Sequence, residues 1–276
     1  MRFVRTQRFA AIQAKLRARI GKLPDETTWR RLALSDHPGF DDLADVGVDF
    51  WLENLPREFG GDTLERHFNG RVRVLMEDTA NWLPDSWSDF GHCLRVVPDI
   101  FLLRPVLNND LSPSVLDRHS LLNEVVGIAG EQRVRHLHAG LLSPFLGEPE
   151  HCEEIWYREL LARIPPLKGA ERLAMVRLRK ILEAYVTAKD YRFQQIAQPA
   201  AAGIGAGEPA RFEQGAWLPH RELEFRLRLS LAGDPFQPAL ILAYTLIELL
   251  TMEKLKALLL SRLLGWPVPP VLRGAA

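Results

Sequence analysis

The sequence predicts an all-α fold, and two of its features carry that prediction. Apolar residues recur at intervals of three and four through most of the 276 residues, which is the spacing of a buried stripe on a helix. Residues that favour the first or last turn of a helix separate these stretches. The composition is 47% hydrophobic and 25% charged, with 35 basic and 35 acidic residues. It is ordinary for a globular protein and indicates no general attraction to nucleic acid or anionic lipid.

Three helical stretches are predicted in the first 110 residues. The first has seven Lys or Arg and no acid before Asp25, which favours an amphipathic helix over a transit-like presequence. Its apolar stripe consists of Phe9, Ile12, Leu16 and Ile20. The stripe of the second stretch consists of Leu64, Phe68, Val72 and Leu75. The third stretch, residues 86–104, is predicted to be a single helix with a kink at Pro98.

The second half of the chain continues the helical pattern. The clearest stripe consists of Leu178, Ile181, Leu182 and Tyr185. Residues 197–210 are rich in Gly, Ala and Pro and predict a flexible loop. Residues 221–231 alternate like a strand, but a lone strand lacks a partner for its backbone groups, so a helix is predicted. The apolar run 236–252 contains Glu248, which favours a buried helix over a membrane span.

One kind of junction recurs three times, at residues 14–32, 99–122 and 255–272. In each, a helix ends near an Arg, a turn follows, and a Pro opens the next helix. The defining residues are Arg19, Gly21 and Pro24, then Arg104, Asn108 and Pro113, then Arg262, Gly265 and Pro267. Gly or Asn is predicted to take the left-handed conformation that closes a helix, while Asp25, Ser112 and Asp234 are predicted N-caps. The recurrence predicts a threefold internal repeat.

These junctions resemble those of the central-stalk coupling family of rotary V-type and A-type ATPases, in its prokaryotic C-type and eukaryotic d-type forms. The N-terminal resemblance lies in AKLRARIGKLPDETTWRRLALSD, and the C-terminal one in PALILAYTLIELLTMEKLKALLLSRLLGWP. The C-terminal match runs through Ala243, Tyr244, Leu246, Leu255, Leu259, Leu263, Gly265 and Pro267. The family's E-x-R-N becomes Thr-Met-Glu253-Lys254 here, which predicts that its usual charged core pair is missing.

The resemblance implies a single all-helical domain of three related lobes arranged as a funnel. The predicted lobes are residues 1–34 with 236–276, residues 35–110, and residues 111–235. It implies a non-catalytic coupling subunit without cofactor or metal, whose partners are the central-shaft subunits and the membrane rotor ring. Such a subunit binds no nucleic acid, has no membrane span of its own, and is cytoplasmic and peripheral to the membrane through its complex.

Two other functions remain open from the residues alone. A helical adaptor unrelated to a rotor shares the same general properties. A Mg²⁺-dependent isoprenoid-diphosphate enzyme is the third reading, because Asp41, Asp42 and Asp45 match the DDxxD pattern that holds the metal and the diphosphate. The alternative interpretation of these residues is the acidic first turn of a helix, where negative charge is favourable.

The remaining chemistry-bearing residues are predicted to be structural. Cys93 and Cys152 lie far apart without metal-knuckle spacing. His136 and His138 point to different sides of a helix, so they are interpreted as a solvated pair. His92 is interpreted as core filling beside Cys93. Core positions are predicted for most of the seven tryptophans.

Overall fold

The computed structural model describes residues 11, 12, 14–34, 43, 48–108, 113–116, 118–125, 128, 132, 135, 136, 142, 143, 152–180, 223–229, 231 and 238–265. These residues form helices and turns, and no strand occurs among them, which confirms the all-α prediction for this part of the chain. The chain divides into two compact units: Met1–Glu53 with Lys168–Ala276, and Asn54–Leu167. The three lobes stay a prediction.

Seven α-helices have defined bounds among the described residues. In chain order they are α1 (Glu26–Leu34), α2 (Asp49–Leu52), α3 (Gly61–Trp82), α4 (Ser88–Arg95), α5 (Val97–Leu107), α6 (Cys152–Ala162) and α7 (Pro238–Leu263). Single 3₁₀ turns cover Asp85–Trp87, Pro113–Val115 and Leu121–Glu124. Residues 14–20, 169–180 and 223–229 are helical as well. The helix predicted for residues 221–231 is therefore confirmed for 223–229.

The alternation in that segment has a simple cause. Leu223 and Leu227 are buried, and they are four residues apart on one side of the helix. Phe225 and Leu229 are also four residues apart, but they are exposed on the opposite side. Two apolar rows on opposite sides of a short helix give the same sequence pattern as a strand.

The 26-residue helix α7 forms the core of the first unit. It begins with Pro238, whose missing N–H is not needed in the first turn. Every residue from Leu240 to Thr245 is buried, so neighbouring groups surround this part of the helix on all sides. Among the described helices, α7 included, none is long and apolar enough to cross a membrane.

The second unit packs its helices around a separate apolar cluster. The stripe predicted on α3 is confirmed, since Leu64, Phe68 and Leu75 are buried and Val72 is partly buried. The cluster itself draws on α5, α6 and the turns between them. Its buried members are Val96, Ile100, Leu103, Val106, Leu116, Leu122, Val125, Leu142 and Ile155.

The predicted single helix kinked at Pro98 is wrong, because two helices meet there. Helix α4 ends at Arg95 and α5 begins at Val97. The backbone N–H groups of Asp99 and Ile100 both donate to the carbonyl of Val96, at 3.1 Å each. Pro98 is thus the second residue of a new helix, where a proline removes no internal hydrogen bond.

A buried ion pair joins α3 to α5 inside the second unit. The guanidinium of Arg73 donates to both carboxylate oxygens of Asp99, at 2.9 and 3.1 Å. The hydroxyl of Ser120 donates to the same carboxylate at 2.6 Å and accepts from the backbone N–H of Leu122 at 3.2 Å. Asp99 has no exposed surface. Such a bidentate, fully bonded pair fixes the register of the two helices.

Candidate functional site

The first junction ends its helix through tight turns. Gly21 N–H donates to the Arg17 carbonyl at 3.0 Å, and Lys22 N–H donates to the Arg19 carbonyl at 2.9 Å. The predicted left-handed conformation of Gly21 is wrong, since Gly21 is not among the residues with positive φ. The change from four-residue to three-residue hydrogen bonds closes this helix without a left-handed residue.

The start of α1 has the predicted cap. Asp25 follows Pro24 and accepts a 2.7 Å hydrogen bond from the backbone N–H of Thr28 through its Oδ1 atom. This is the bond that an N-cap carboxylate makes with the third residue of a helix. The hydrogen bond from Thr28 lowers the pKa of Asp25 below its ordinary value. The role predicted for Asp25 is confirmed.

The middle junction differs from its prediction. Arg104 lies inside α5, which continues to Leu107, so the helix does not end at this Arg. Asn108 occupies the following turn without a positive φ. Pro113 opens a single 3₁₀ turn, Pro113–Val115, in place of the predicted helix. The junction therefore shares residue types with the other two, but its helix continues past the Arg and its Pro opens a 3₁₀ turn.

The third junction confirms the left-handed prediction. Gly265 has φ +63° and donates from its N–H to the carbonyl of Arg262 at 3.2 Å. The Arg262 guanidinium donates to the backbone carbonyl of Leu32 at 3.0 Å. Leu32 lies in the last turn of α1, where carbonyls lack intrahelical partners. Arg262 therefore binds the end of α1 to the end of α7. Pro267 lies outside the described residues.

A largely buried ion pair lies in the first unit. Lys254 of α7 pairs with Glu224 of the helical segment 223–229. Its ammonium also lies 5.7 Å from the centre of the Trp29 ring, within range of a cation–π contact. This pair differs from the one that the family's E-x-R-N motif would supply, so the absence of the motif's own pair stays a prediction. The partner of Lys254 comes from another helix thirty residues earlier, so the local motif did not reveal it.

Arg228 extends this pair to the first junction. Its guanidinium donates two hydrogen bonds to Oε1 of Glu224, at 2.8 and 3.0 Å, and a longer one to the Pro24 carbonyl at 3.4 Å. Burial acts to raise the pKa of Glu224, but Lys254 and Arg228 outweigh it and hold that pKa below its ordinary value. We call Glu224, Arg228 and Lys254 the charged cluster. It connects segment 223–229 to both α7 and the start of α1.

An open pocket lies beside the first junction, in the first unit. Its volume is about 1230 Å³, and its wall includes Pro24 and Thr28. The charged side chains that line it are Lys15, Arg19, Lys22, Asp25, Glu53 and Glu248. Three cations and three carboxylates give no net charge, a lining that suits a mixed protein surface better than a small anion.

Three of the predicted family residues line this pocket: Arg19, Gly21 and Pro24. Arg19 lies 5.2 Å from the centre of the Phe50 ring, which covers its guanidinium. Tyr244 is fully buried in α7 and belongs to the core. Glu253 is partly buried on the same helix.

The structure describes only some of the residues that could bind a metal. Asp41, Asp42, Asp45 and His138 lie outside the described residues. His136 is exposed and lies 3.7 Å from the Glu124 carboxylate. The core position predicted for His92 is wrong, since His92 is exposed while the neighbouring Cys93 is buried. Among the residues that the structure describes, no group of three or more His, Cys, Asp or Glu is arranged to hold a metal ion.

The core positions predicted for the tryptophans are confirmed for those that the structure describes. Trp29, Trp51, Trp82 and Trp87 are buried. Trp156 is partly buried and donates from its indole N–H to the Cys93 carbonyl at 3.1 Å. Trp217 and Trp266 lie outside the described residues.

No family model matches the chain, and no match is found among curated proteins or among solved structures.

Proposed function

We propose that this chain is a non-catalytic coupling subunit of a rotary V-type or A-type ATPase, linking the central shaft to the membrane rotor ring. The observation that carries the proposal is the bond from Arg262 to the Leu32 carbonyl. Arg262 belongs to the C-terminal segment that resembles the stalk family, and Leu32 belongs to the N-terminal one. The two segments are joined within one compact unit.

The mechanical demand on such a subunit is stiffness. A helix buried on all sides cannot slide without opening its packing, and α7 has this property from Leu240 to Thr245. The charged cluster adds directional bonds across three chain segments. Shear between these helices would separate the charges while they remain partly buried, and this costs free energy.

The proposal extends to architecture and location. The three lobes are residues 1–34 with 236–276, residues 35–110 and residues 111–235, arranged as a funnel. The funnel mouth receives the tip of the shaft, and the base sits on the rotor ring. The subunit thus stays on the cytoplasmic face, peripheral to the membrane and bound through its complex.

The test is purification of the tagged chain from membranes of its own host in mild detergent. Co-purification of rotor-ring and shaft subunits, identified by mass spectrometry, is the expected result. Membranes that lack the chain should hydrolyse ATP while losing ATP-driven ion transport, because the coupler does no chemistry. A clean purification that contains neither ring nor shaft subunits contradicts the proposal.

A helical adaptor without a rotor role is the second candidate, and the exposed apolar side chains favour it. Phe225 and Leu229 are 61% and 58% exposed on one side of segment 223–229. Large exposed side chains of this kind are used in protein contacts. An adaptor would retain other partners in the same purification, and ion transport would be normal without it.

A further inference from the structure

Helical residues 169–180 present an unusual outward side in the first unit. Leu173 and Val176 are three residues apart, so they lie on the same side, and they are 65% and 45% exposed. Met175 and Leu178 on the other side are buried. The helix is therefore anchored by one apolar row while a second apolar pair faces outward.

Basic side chains surround this outward pair. Arg172 lies one turn before Val176, and Lys180 lies one turn after it. Arg177 lies one turn after Leu173. All three basic residues are exposed. We call Arg172, Leu173, Val176, Arg177 and Lys180 the basic face. Segment 169–180 contains four basic residues and one acid, in a chain whose overall charge is balanced.

We infer that the basic face is a docking surface for an acidic amphipathic helix of another protein. The partner helix would place a short apolar row against Leu173 and Val176. Carboxylates on both sides of that row would meet Arg172, Arg177 and Lys180. Charge complementarity of this kind selects partners and speeds encounter, while a small central apolar contact supplies the short-range fit.

The size of the apolar pair decides between a protein partner and an anionic membrane. A helix that lies on a membrane inserts a wide apolar side, usually with bulky or aromatic residues. Here the side with Met175 and Leu178 is buried in the protein and unavailable for insertion. Two aliphatic side chains remain, an area suited to the centre of a small protein contact. The inference is independent of the rotary role, since it concerns a different helix from the junctions that carry it.

The test uses the full chain and a synthetic probe. The probe is a fluorescent helical peptide of about 20 residues whose leucine row is flanked by glutamates. A second peptide carries lysines in place of the glutamates. Fluorescence anisotropy should show that the chain binds the acidic peptide at least about tenfold more tightly than the basic one. The affinity should fall steeply between about 50 and about 300 mM salt.

Surface variants assign the binding to this face. The double substitutions Arg177→Glu with Lys180→Glu and Leu173→Ser with Val176→Ser should each weaken binding at least about tenfold. Arg66→Glu and Val74→Ser change exposed residues of the same types on α3 and should leave affinity unchanged. Circular dichroism confirms that each variant retains its helices.

Three outcomes overturn the inference. The first is equal affinity for the acidic and basic peptides, or no affinity for either. The second is a basic-face variant that remains folded and binds as the unmodified chain does. The third is stronger binding to vesicles of phosphatidylserine and phosphatidylcholine than to the acidic peptide, which would assign the face to an anionic membrane.

Discussion

Lys254 in α7 and Glu224 in segment 223–229 form an ion pair across thirty residues of sequence. The Lys254 side chain is 10% exposed to solvent, and the Glu224 side chain is 14% exposed. Glu224 accepts hydrogen bonds from Arg228 as well, so one carboxylate holds two cations. This unequal arrangement means that the two ends of the pair should respond differently to substitution.

Glu224→Gln should cost more stability than Lys254→Met. The first change leaves the Lys254 and Arg228 charges without their shared carboxylate, and we expect a loss of about 2–4 kcal/mol in the free energy of unfolding. The second leaves Glu224 bonded to Arg228, and Met retains much of the Lys stem, so we expect about 1–2 kcal/mol. Urea unfolding followed by circular dichroism measures both.

Glu58→Gln is the matched control, because Glu58 is exposed. It should change the free energy of unfolding by no more than about 0.5 kcal/mol. An equal cost for Glu224→Gln and Lys254→Met would contradict the role assigned to Arg228. The double variant distinguishes the direct coupling energy of the pair from the effects of each side chain.

The charged cluster should also make stability depend on pH in the acidic range. Burial acts to raise the folded-state pKa of Glu224, but Lys254 and Arg228 bring that pKa below its ordinary value of 4.5. A depressed pKa contributes stability that is complete above the unfolded-state value and is lost as pH falls through the folded-state value. The stability difference between the unmodified chain and Glu224→Gln should be constant near neutral pH. It should shrink below about pH 4.5, and a difference that grows on acidification would reverse the sign argued here.

Much of the local structure follows from the sequence because its causes are local. The stripe on α3 depends on spacing alone, and the capping bond of Asp25 spans three residues. Burial of α7 follows from its apolar residues on every side. These features need no knowledge of distant segments, and the sequence predicts each of them correctly.

The charged cluster could not be predicted in the same way. The partner of Lys254 depends on how segment 223–229 packs against α7, and no local pattern encodes that contact. His92 illustrates the same limit on a smaller scale, since adjacent residues on a helix point about 100° apart. Cys93 is buried while His92 beside it is exposed. A proline such as Pro98 can either kink a helix or lie in the first turn of a new one. The packing of α4 and α5 selects the second arrangement.

Asp99→Asn should be among the most destabilising single changes in the second unit. It removes the charge that the buried Arg73 guanidinium requires, and we expect a loss of about 3–5 kcal/mol. Ser120→Ala removes one hydrogen bond to Asp99 and should cost about 1–2 kcal/mol. Glu77→Gln on the exposed side of α3 is the control, with little expected change. The order of these three costs in urea unfolding is the test, and a cost for Asp99→Asn close to that of Glu77→Gln would refute the network.

Gly265→Ala should destabilise the chain, whereas Gly21→Ala should not. Gly265 has φ +63°, so any other residue is strained there, and we expect a loss of about 1 kcal/mol. Gly21 lacks a positive φ, and an added Cβ would meet the Arg17 carbonyl oxygen at an ordinary 3.6 Å. Alanine at this position should be neutral or stabilising by up to about 1 kcal/mol. Thermal unfolding of the two variants compares them directly, and equal losses would show that the first junction also needs a glycine.

The Cys93 thiol should be unreactive in the folded chain. Burial raises its pKa from 9.0 to about 11, which reduces the thiolate fraction at pH 8 by about 100-fold. The measurement is the rate of reaction with a disulfide reagent at pH 8, in a Cys152→Ser background that leaves one cysteine. The same variant unfolded in urea supplies the reference rate, and the folded chain should react at least about 100-fold more slowly. A folded-state rate within about threefold of the reference would mean that this site opens readily, and that Cys93 is a surface thiol in solution.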